Sequence, residues 1–132
     1  MTTRRGTCSC GQLAVTCEGD PIRVSMCHCL ACQRRTGSAV GVQARWSKDR
    51  VTFEGQSATW VRVGDEGTRI TFHFCATCGA TLYWELEGSA EHVSVAVGAF
   101  ADPTFPSPTF SVYEDRKHAW LGIPDEGVEH WD

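Results

Sequence analysis

Residues 27–37, CHCLACQRRTG, place three cysteines within six positions, at Cys27, Cys29 and Cys32. Cysteine thiolates are preferred zinc ligands, and a structural zinc site almost always has four protein ligands. The segment therefore predicts a metal site that lacks one protein ligand. It also predicts the one plausible helical turn of the chain, from Leu30 to Arg35, ending at Gly37, because glycine readily adopts the left-handed conformation that closes a helix.

The length and composition of the chain are those of an ordinary globular protein. It has 132 residues, of which 42% are hydrophobic and 21% charged, so we expect a single domain over residues 1–132 with a sizeable core. No window reaches the roughly 18 apolar residues of a membrane span, and the amino-terminal MTTRRGTCSCG has no apolar run. We therefore expect a soluble, cytoplasmic protein with no membrane partner.

The net charge and the cysteine content narrow the functional classes. A net charge of −4 argues against sequence-independent binding to nucleic acid, because such binding needs clustered lysine and arginine. Eight cysteines amount to about 6% of the chain, below the roughly 8–10% that is typical of disulfide-rich secreted scaffolds. In a reducing compartment these thiols are available for metal binding.

Most of the remaining sequence predicts short strands separated by turns. Apolar and polar residues alternate over Leu13–Cys17, and two β-prone runs, Thr59–Val63 and Arg69–Phe74, flank the turn residues Gly64–Gly67. Further short runs are bounded by glycine or proline: Val51–Phe53, Thr81–Trp84, His92–Val97 and Phe110–Tyr113. The sequence predicts a mainly β protein of short antiparallel strands with little helix.

Two cysteine pairs that are distant in sequence predict a four-thiolate site. Cys75 and Cys78 are two residues apart and are followed by glycine, which is typical of a zinc knuckle, and Cys8 and Cys10 are also followed by glycine. Together the pairs supply the four ligands of a structural zinc site that joins the amino-terminal strands to a distant hairpin. The alternative is that Cys8 and Cys10 are small buried residues.

The cluster at residues 27–32 leaves its fourth ligand open. Water, a histidine or a substrate thiol could complete it, and three protein ligands with an open position are typical of a catalytic zinc site. His28 is a candidate, but the convergence of its neighbours on a metal would point it away, which favours a surface residue or one that supports a ligand. Cys17 lies in an alternating strand, which favours burial in the core.

Several other residues have candidate roles beside this site. Arg34 and Arg35 follow the third cysteine and could pair with the carboxylates of an anionic substrate, although adjacent side chains on a turn diverge and usually face solvent. We expect one of the two to bind substrate. Tryptophan at strand spacing usually packs, so we expect core or pocket-wall positions for Trp46, Trp60, Trp84 and Trp120. Histidine in an alternating strand is usually structural, and we expect that role for His73 and His92.

These motifs, in this order, resemble a known family. The combination of Cys8-Ser9-Cys10-Gly11, the segment at residues 27–37, and Phe74-Cys75-x2-Cys78-Gly79 is similar to the glutathione-dependent formaldehyde-activating enzyme family, which also contains centromere protein V. Further similarity lies at residues 97–103 and 116–120. The resemblance covers almost the whole chain.

The resemblance implies a β-tent fold, two zinc ions per chain, and carbon–sulfur lyase chemistry on adducts of glutathione with formaldehyde, such as S-hydroxymethylglutathione. By motif, the structural zinc falls on Cys8, Cys10, Cys75 and Cys78, and the catalytic zinc on Cys27, Cys29 and Cys32. Many members carry histidine at the position of Ser111, so the role of that histidine is not transferred.

Three functional hypotheses follow. Zinc held by three thiolates is soft enough to accept a further sulfur as ligand. A thiol bound at that position would be deprotonated and could attack a nearby aldehyde. The first hypothesis is therefore an enzyme whose partners are a thiol, such as glutathione, and an aldehyde. The same site could instead bind a thiol or metal without turnover. Alternatively, both zinc sites could stabilise an interaction domain, but a zinc site with only three protein ligands is poorly suited to a purely structural role.

Overall fold

The computed structural model describes residues 2–131, which form two β-sheets and one short α-helix. Strands hold 44% of the residues and helices 13%, which includes short 3-10 helices at Lys48–Arg50, Val97–Phe100 and Glu114–Arg116, and this confirms the predicted mainly β fold. The helix, α1, is Leu30–Thr36. The strands in chain order are β1 (Thr3–Thr7), β2 (Ala14–Glu18), β3 (Arg23–Cys27), β4 (Gly41–Ser47), β5 (Val51–Glu54), β6 (Ser57–Val63), β7 (Arg69–Cys75), β8 (Thr81–Leu86), β9 (His92–Ala96), β10 (Phe110–Val112) and β11 (Glu129–Trp131).

The smaller sheet has the strand order β1-β2-β5, and the larger has the order β11-β10-β3-β4-β9-β8-β7-β6. The predicted hairpin is β6–β7, in which Trp60 pairs with Phe72 across an antiparallel ladder. The prediction of antiparallel strands is wrong for β10, which runs parallel to both β3 and β11. A long connection that contains Pro103, Pro106 and Pro108 precedes β10, and it allows the chain to return beside β3 in the same direction.

The hydrophobic core contains residues from both sheets. Val15 and Cys17 of β2 are fully buried, in the same cluster as Trp46 of β4. The rings of Phe53 and Tyr83 connect the two sheets, with their centroids 4.5 Å apart. The prediction that Cys17 is a core residue is therefore confirmed, and burial raises its pKa to about 12 because the thiolate would lose its hydration.

The helix α1 follows β3 directly and is short because both of its ends are fixed by local signals. Cys29 is the N-cap, and Gly37 ends the helix in the left-handed conformation with φ of 67°, as predicted. Within residues 2–131 no helix is both long and apolar enough to span a membrane.

The tryptophans occupy three kinds of position. Trp46 and Trp84 are buried, as expected, whereas Trp60 is 56% exposed. Trp120 is 73% exposed, so the prediction that it is a core or wall residue is wrong. It lies in the irregular segment between β10 and β11, where its ring contacts His118 rather than the core.

Candidate metal centres and the adjoining cleft

The first cluster brings together the thiols of Cys8, Cys10, Cys75 and Cys78, whose sulfur atoms all lie within 4.8 Å of one another. The Sγ atom of Cys10 is 3.7 Å from that of Cys8 and 3.6 Å from that of Cys75. Four sulfurs at about 2.3 Å from one tetrahedral zinc ion are about 3.8 Å apart. The separations and the soft donor set therefore fit a zinc ion.

Two tight turns form this cluster. Cys8 follows β1 and Cys75 ends β7, and each turn is closed by a backbone hydrogen bond, from Gly11 N to Cys8 O and from Gly79 N to Cys75 O. Both glycines have positive φ, of 86° and 82°, which a side chain would oppose. The backbone N–H of Leu13 donates to Cys8 Sγ at 3.3 Å, so the turns also supply donors to the sulfurs.

The side chain of Gln12 connects this cluster to the β5–β6 turn. Its Nε2 atom donates to Cys75 Sγ at 3.0 Å and to the carbonyl of Gln56 at 2.8 Å. The hydrogen bond from Gln12, together with those from the backbone of Cys78 and Thr77, lowers the pKa of Cys75 to about 5. A donor of this kind stabilises a thiolate ligand and fixes its orientation.

The second cluster brings together the thiols of Cys27, Cys29 and Cys32, which also lie within 4.8 Å of one another. Cys27 ends β3, where it pairs with Val112 of β10 and Gly41 of β4. A Cβ atom at Gly41 would lie only 3.3 Å from Cys32 Cβ, so this glycine leaves room for the helix that carries the third cysteine.

The N-cap of α1 belongs to this cluster. Cys29 Sγ accepts a hydrogen bond of 3.3 Å from the backbone N–H of Cys32, so the local fold that starts the helix also brings two of the thiols together. Hydrogen bonds from the thiols of Cys27 and Cys32 lower the pKa of Cys29 to about 2, with a smaller coulombic contribution from Arg62. The hydrogen bond with Cys29 is also the main cause that raises the pKa of Cys27, and the pKa of Cys32 is raised too, so the cluster without metal favours a single thiolate, on Cys29.

His28 is buried and is not part of either cluster within the described residues. Its Nε2 atom lies 2.9 Å from the hydroxyl oxygen of Ser111, and its buried Nδ1 atom has no partner in the described part of the chain. Burial lowers its pKa. The surface alternative for His28 is therefore wrong, because the ring turns inward toward β10 and positions the loop between two of the cysteines.

A cleft of about 400 Å³ adjoins the second cluster. One wall is α1 and the other is formed by strands β6 and β7. The residues that line it are Ala31, Cys32, Arg34, Arg35, Trp60, Arg62 and Phe72. Its volume is within the range of small-molecule sites, about 300–1,000 Å³.

Aromatic rings hold one of the arginines in this cleft. The guanidinium of Arg35 lies 4.2 Å from the centroid of the Trp84 ring and 5.4 Å from that of Phe72. Its Nε atom is buried and has no hydrogen-bond partner among residues 2–131. Arg34, by contrast, is exposed. Both adjacent arginines line the cleft, and the expectation that one of them binds substrate stays a prediction.

Comparison with known families agrees with this arrangement of cysteines. The family profile described as "Glutathione-dependent formaldehyde-activating enzyme" matches residues 3–116. The chain belongs to the glutathione-dependent formaldehyde-activating enzyme family. The matched range includes every cysteine of both clusters and every residue that lines the cleft.

The fold of this family member is also similar to a solved structure. A crystal structure of a Rhodobacter sphaeroides protein, determined as a structural-genomics target, is 18% identical in sequence and has a TM-score of 0.56. The alignment covers 97% of this chain and 99% of the other. No curated protein matches the chain significantly.

Part of the cleft of this family member was not predicted from the sequence. It selected Arg34 and Arg35 because they follow Cys32, but it did not select Arg62 or Phe72, which are about 30 and 40 positions further along the chain. The available signal was the polarity of β6, where a charged residue interrupts an otherwise apolar run at Trp60–Val63. Without the position of α1 relative to that strand, this signal did not indicate a shared site.

Proposed function

We propose that this chain is a zinc-dependent enzyme of the carbon–sulfur lyase type that acts on adducts between a thiol and an aldehyde. Glutathione is the proposed thiol and formaldehyde the proposed aldehyde, in S-hydroxymethylglutathione or a related adduct. Membership of the glutathione-dependent formaldehyde-activating enzyme family supports this substrate class. The observation that carries the proposal is the position of Cys32, which belongs to the three-thiol cluster and also lines the cleft.

The two clusters have different roles in this proposal. Cys8, Cys10, Cys75 and Cys78 supply four thiolates, a complete coordination shell that stabilises the junction of β1 and β7. Cys27, Cys29 and Cys32 supply three, which leaves one position for a substrate atom. When bound there, zinc supplies a soft Lewis acid that lowers the pKa of a thiol.

The reaction is a reversible addition that needs no oxidant or reductant. In the forward direction a carbon–sulfur bond forms, the π bond of the carbonyl breaks, and the thiol proton passes to the carbonyl oxygen. In the reverse direction the carbon–sulfur bond breaks, and a thiol and an aldehyde are released. The chain contributes by holding the two reactants together, which reduces the entropic cost of their encounter.

The cleft residues support this positioning role. Trp60, which stacks on the buried ring of Phe72, offers an aromatic surface to the body of the substrate, and Arg34 and Arg35 offer positive charge to its carboxylates. Arg35 is held in place by Trp84, so little side-chain entropy is lost when it binds an anion.

The test measures rate, since an enzyme cannot change the position of the equilibrium. Glutathione and ¹³C-formaldehyde are mixed with the zinc-loaded protein, and exchange between free formaldehyde and S-hydroxymethylglutathione is followed by NMR. We expect faster exchange with the natural chain than with no protein. Cys32→Ser, which removes one ligand of the second cluster, should restore the uncatalysed rate.

The two contrary outcomes have different meanings. Acceleration that persists in Cys32→Ser would show that the three-cysteine cluster is not responsible. If the protein binds glutathione but does not accelerate exchange, the result would favour a thiol-binding module over an enzyme. A protein that neither binds a thiol nor accelerates exchange would favour the interaction domain.

A further inference from the structure

The far wall of the cleft is formed by β6, which is an edge strand of the larger sheet. Trp60 and Arg62 are two residues apart on this strand, so their side chains lie on the same face, and both line the cleft with Cys32. Trp60 is 56% exposed, so its ring is accessible to a ligand in the cleft.

The charge in the cleft is not neutralised within the described residues. Arg4, Arg5 and Arg116 each form an ion pair with a carboxylate, at 3.3, 3.1 and 3.6 Å. Over residues 2–131, no such pair is formed by Arg34, Arg35 or Arg62. The chain as a whole has a net charge of −4, but three arginines line this one small cleft and make it locally positive. A positive cleft suits an anionic ligand.

Arg62 is free to bind a ligand through both terminal nitrogens. Its guanidinium lies 5.9 Å from the centroid of the Phe72 ring, and it donates no hydrogen bond to any described residue. Arg35, by contrast, is held against Trp84. Arg62 also lines the same cleft as Cys32, a member of the three-cysteine cluster.

We propose that Arg62, with Trp60 beside it, is a specificity-determining residue that binds a carboxylate of the substrate thiol and so selects anionic thiols over neutral ones. This inference rests on the proposed function, because it names the class of thiol that the same site accepts. The planar guanidinium can form two parallel hydrogen bonds with a carboxylate, and Trp60 shields them from water on one side. An esterified or uncharged thiol forms no such pair.

The experiment separates carboxylate recognition from chemistry at the metal. The probe is S-methylglutathione, which keeps both carboxylates but has no free thiol, and the comparison ligand is its diethyl ester. Binding of each to the zinc-loaded protein is measured by calorimetry. The variants are Arg62→Ala and Arg62→Lys, and the matched control is Arg69→Ala, an exposed arginine on β7 that does not line the cleft.

We expect the natural chain and Arg69→Ala to bind S-methylglutathione at least about tenfold more tightly than its diethyl ester. This is the effect expected when one charge-assisted hydrogen bond is lost. Arg62→Ala should lose most of this preference, because Arg34 and Arg35 can still bind the other carboxylate, and Arg62→Lys, which keeps the charge but not the two-pronged geometry, should retain more of it. If Arg62→Ala does not fold, as judged by circular dichroism and zinc content, Arg62→Lys still decides the question.

The inference is overturned if the natural chain does not distinguish the acid from the ester, or if both Arg62 variants retain the full preference. It is also overturned if neither ligand binds. These outcomes are independent of the exchange measurement, because the probe cannot form a thiol adduct. If the natural chain prefers the acid but does not accelerate exchange, the carboxylate subsite is supported and the proposed enzyme activity is not.

Discussion

The side-chain amide of Gln12 donates a hydrogen bond of 3.0 Å to the Sγ atom of Cys75, although the two residues are 63 positions apart. The same amide donates to Gln56, so one side chain connects the four-cysteine cluster to the β5–β6 turn. This contact couples a candidate metal ligand to the packing of both sheets.

We therefore predict that Gln12→Ala weakens zinc binding at the four-cysteine cluster by about 10–100-fold, because outer partners of metal ligands typically contribute that much. Competition with a chromogenic chelator measures the affinity of the more tightly held zinc. Gln12→Glu keeps the length of the side chain but places an acceptor near the thiolate, so it should bind zinc no more tightly than Gln12→Ala. Unchanged zinc affinity in both variants would remove Gln12 from the site.

The two clusters should respond differently to loss of one thiol. Cys75→Ser breaks a site that joins distant parts of the fold, so we expect its free energy of unfolding to fall by at least about 3 kcal/mol. Cys32→Ser should cost about 1 kcal/mol or less, because that cluster lies within one local segment. Chemical denaturation of the zinc-loaded proteins measures both values. Equal destabilisation would contradict the assignment of separate structural and catalytic sites.

Cys17 provides a prediction of pH dependence. Burial raises its pKa in the folded state to about 12, above the ordinary value of 9.0, so the folded chain keeps a proton that the unfolded chain loses. The associated stability is complete below pH of about 9 and is lost as the pH rises toward 12. At pH of about 10.5 the loss should reach about 1–2 kcal/mol.

Urea unfolding at pH of about 8 and 10.5 measures this loss, with Cys17→Ala as the control. The variant should start less stable, because it loses buried volume, but it should lose less stability between the two pH values. An equal loss in both proteins would show that Cys17 does not titrate as its burial indicates.

Gly55 should tolerate no side chain. It has a φ of 87°, and a Cβ atom there would lie 1.8 Å from the carbonyl oxygen of Gln12. Gly55→Ala should therefore cost at least about 3 kcal/mol, from the clash together with the backbone strain. Gly88→Ala is a matched control, because Gly88 has a φ of 85° but no atom within 4 Å of the added Cβ, so it should cost only about 1–2 kcal/mol. Thermal melts of the two variants give the comparison.

The sequence predicted those parts of the fold that depend on local signals. The β6–β7 hairpin followed from two β-prone runs that flank Gly64–Gly67, the second of which alternates polar and apolar residues, and α1 followed from the position of Gly37. The strand β1 was not predicted, because its TRRGT sequence has no apolar face and forms a strand only by pairing with β2. The strand β11 was missed for a similar reason, since its three residues are exposed and pair in parallel with β10.

The cysteine clusters could be predicted because short spacing brings thiols together whatever the surrounding fold. The convergence of Cys8 and Cys10 with Cys75 depended on the assumption of a tetrahedral site, and the structure brings these sulfurs within contact distance. The burial of His28 and its hydrogen bond to Ser111 could not be predicted, because they depend on the return of β10 beside β3. The same is true of Arg62, whose place in the cleft depends on how β6 lies relative to α1.

The central claim is that the two cysteine clusters bind two zinc ions and that only the four-cysteine ion supports the fold. The most direct test is the zinc content per chain of metal-replete protein, measured by elemental analysis for the natural chain and for Cys32→Ser. We predict values close to two and one respectively, with the single zinc of Cys32→Ser resisting a chelator as strongly as the tighter zinc of the natural chain. A natural chain that holds only one zinc, or a Cys32→Ser variant that still holds two, would contradict the claim.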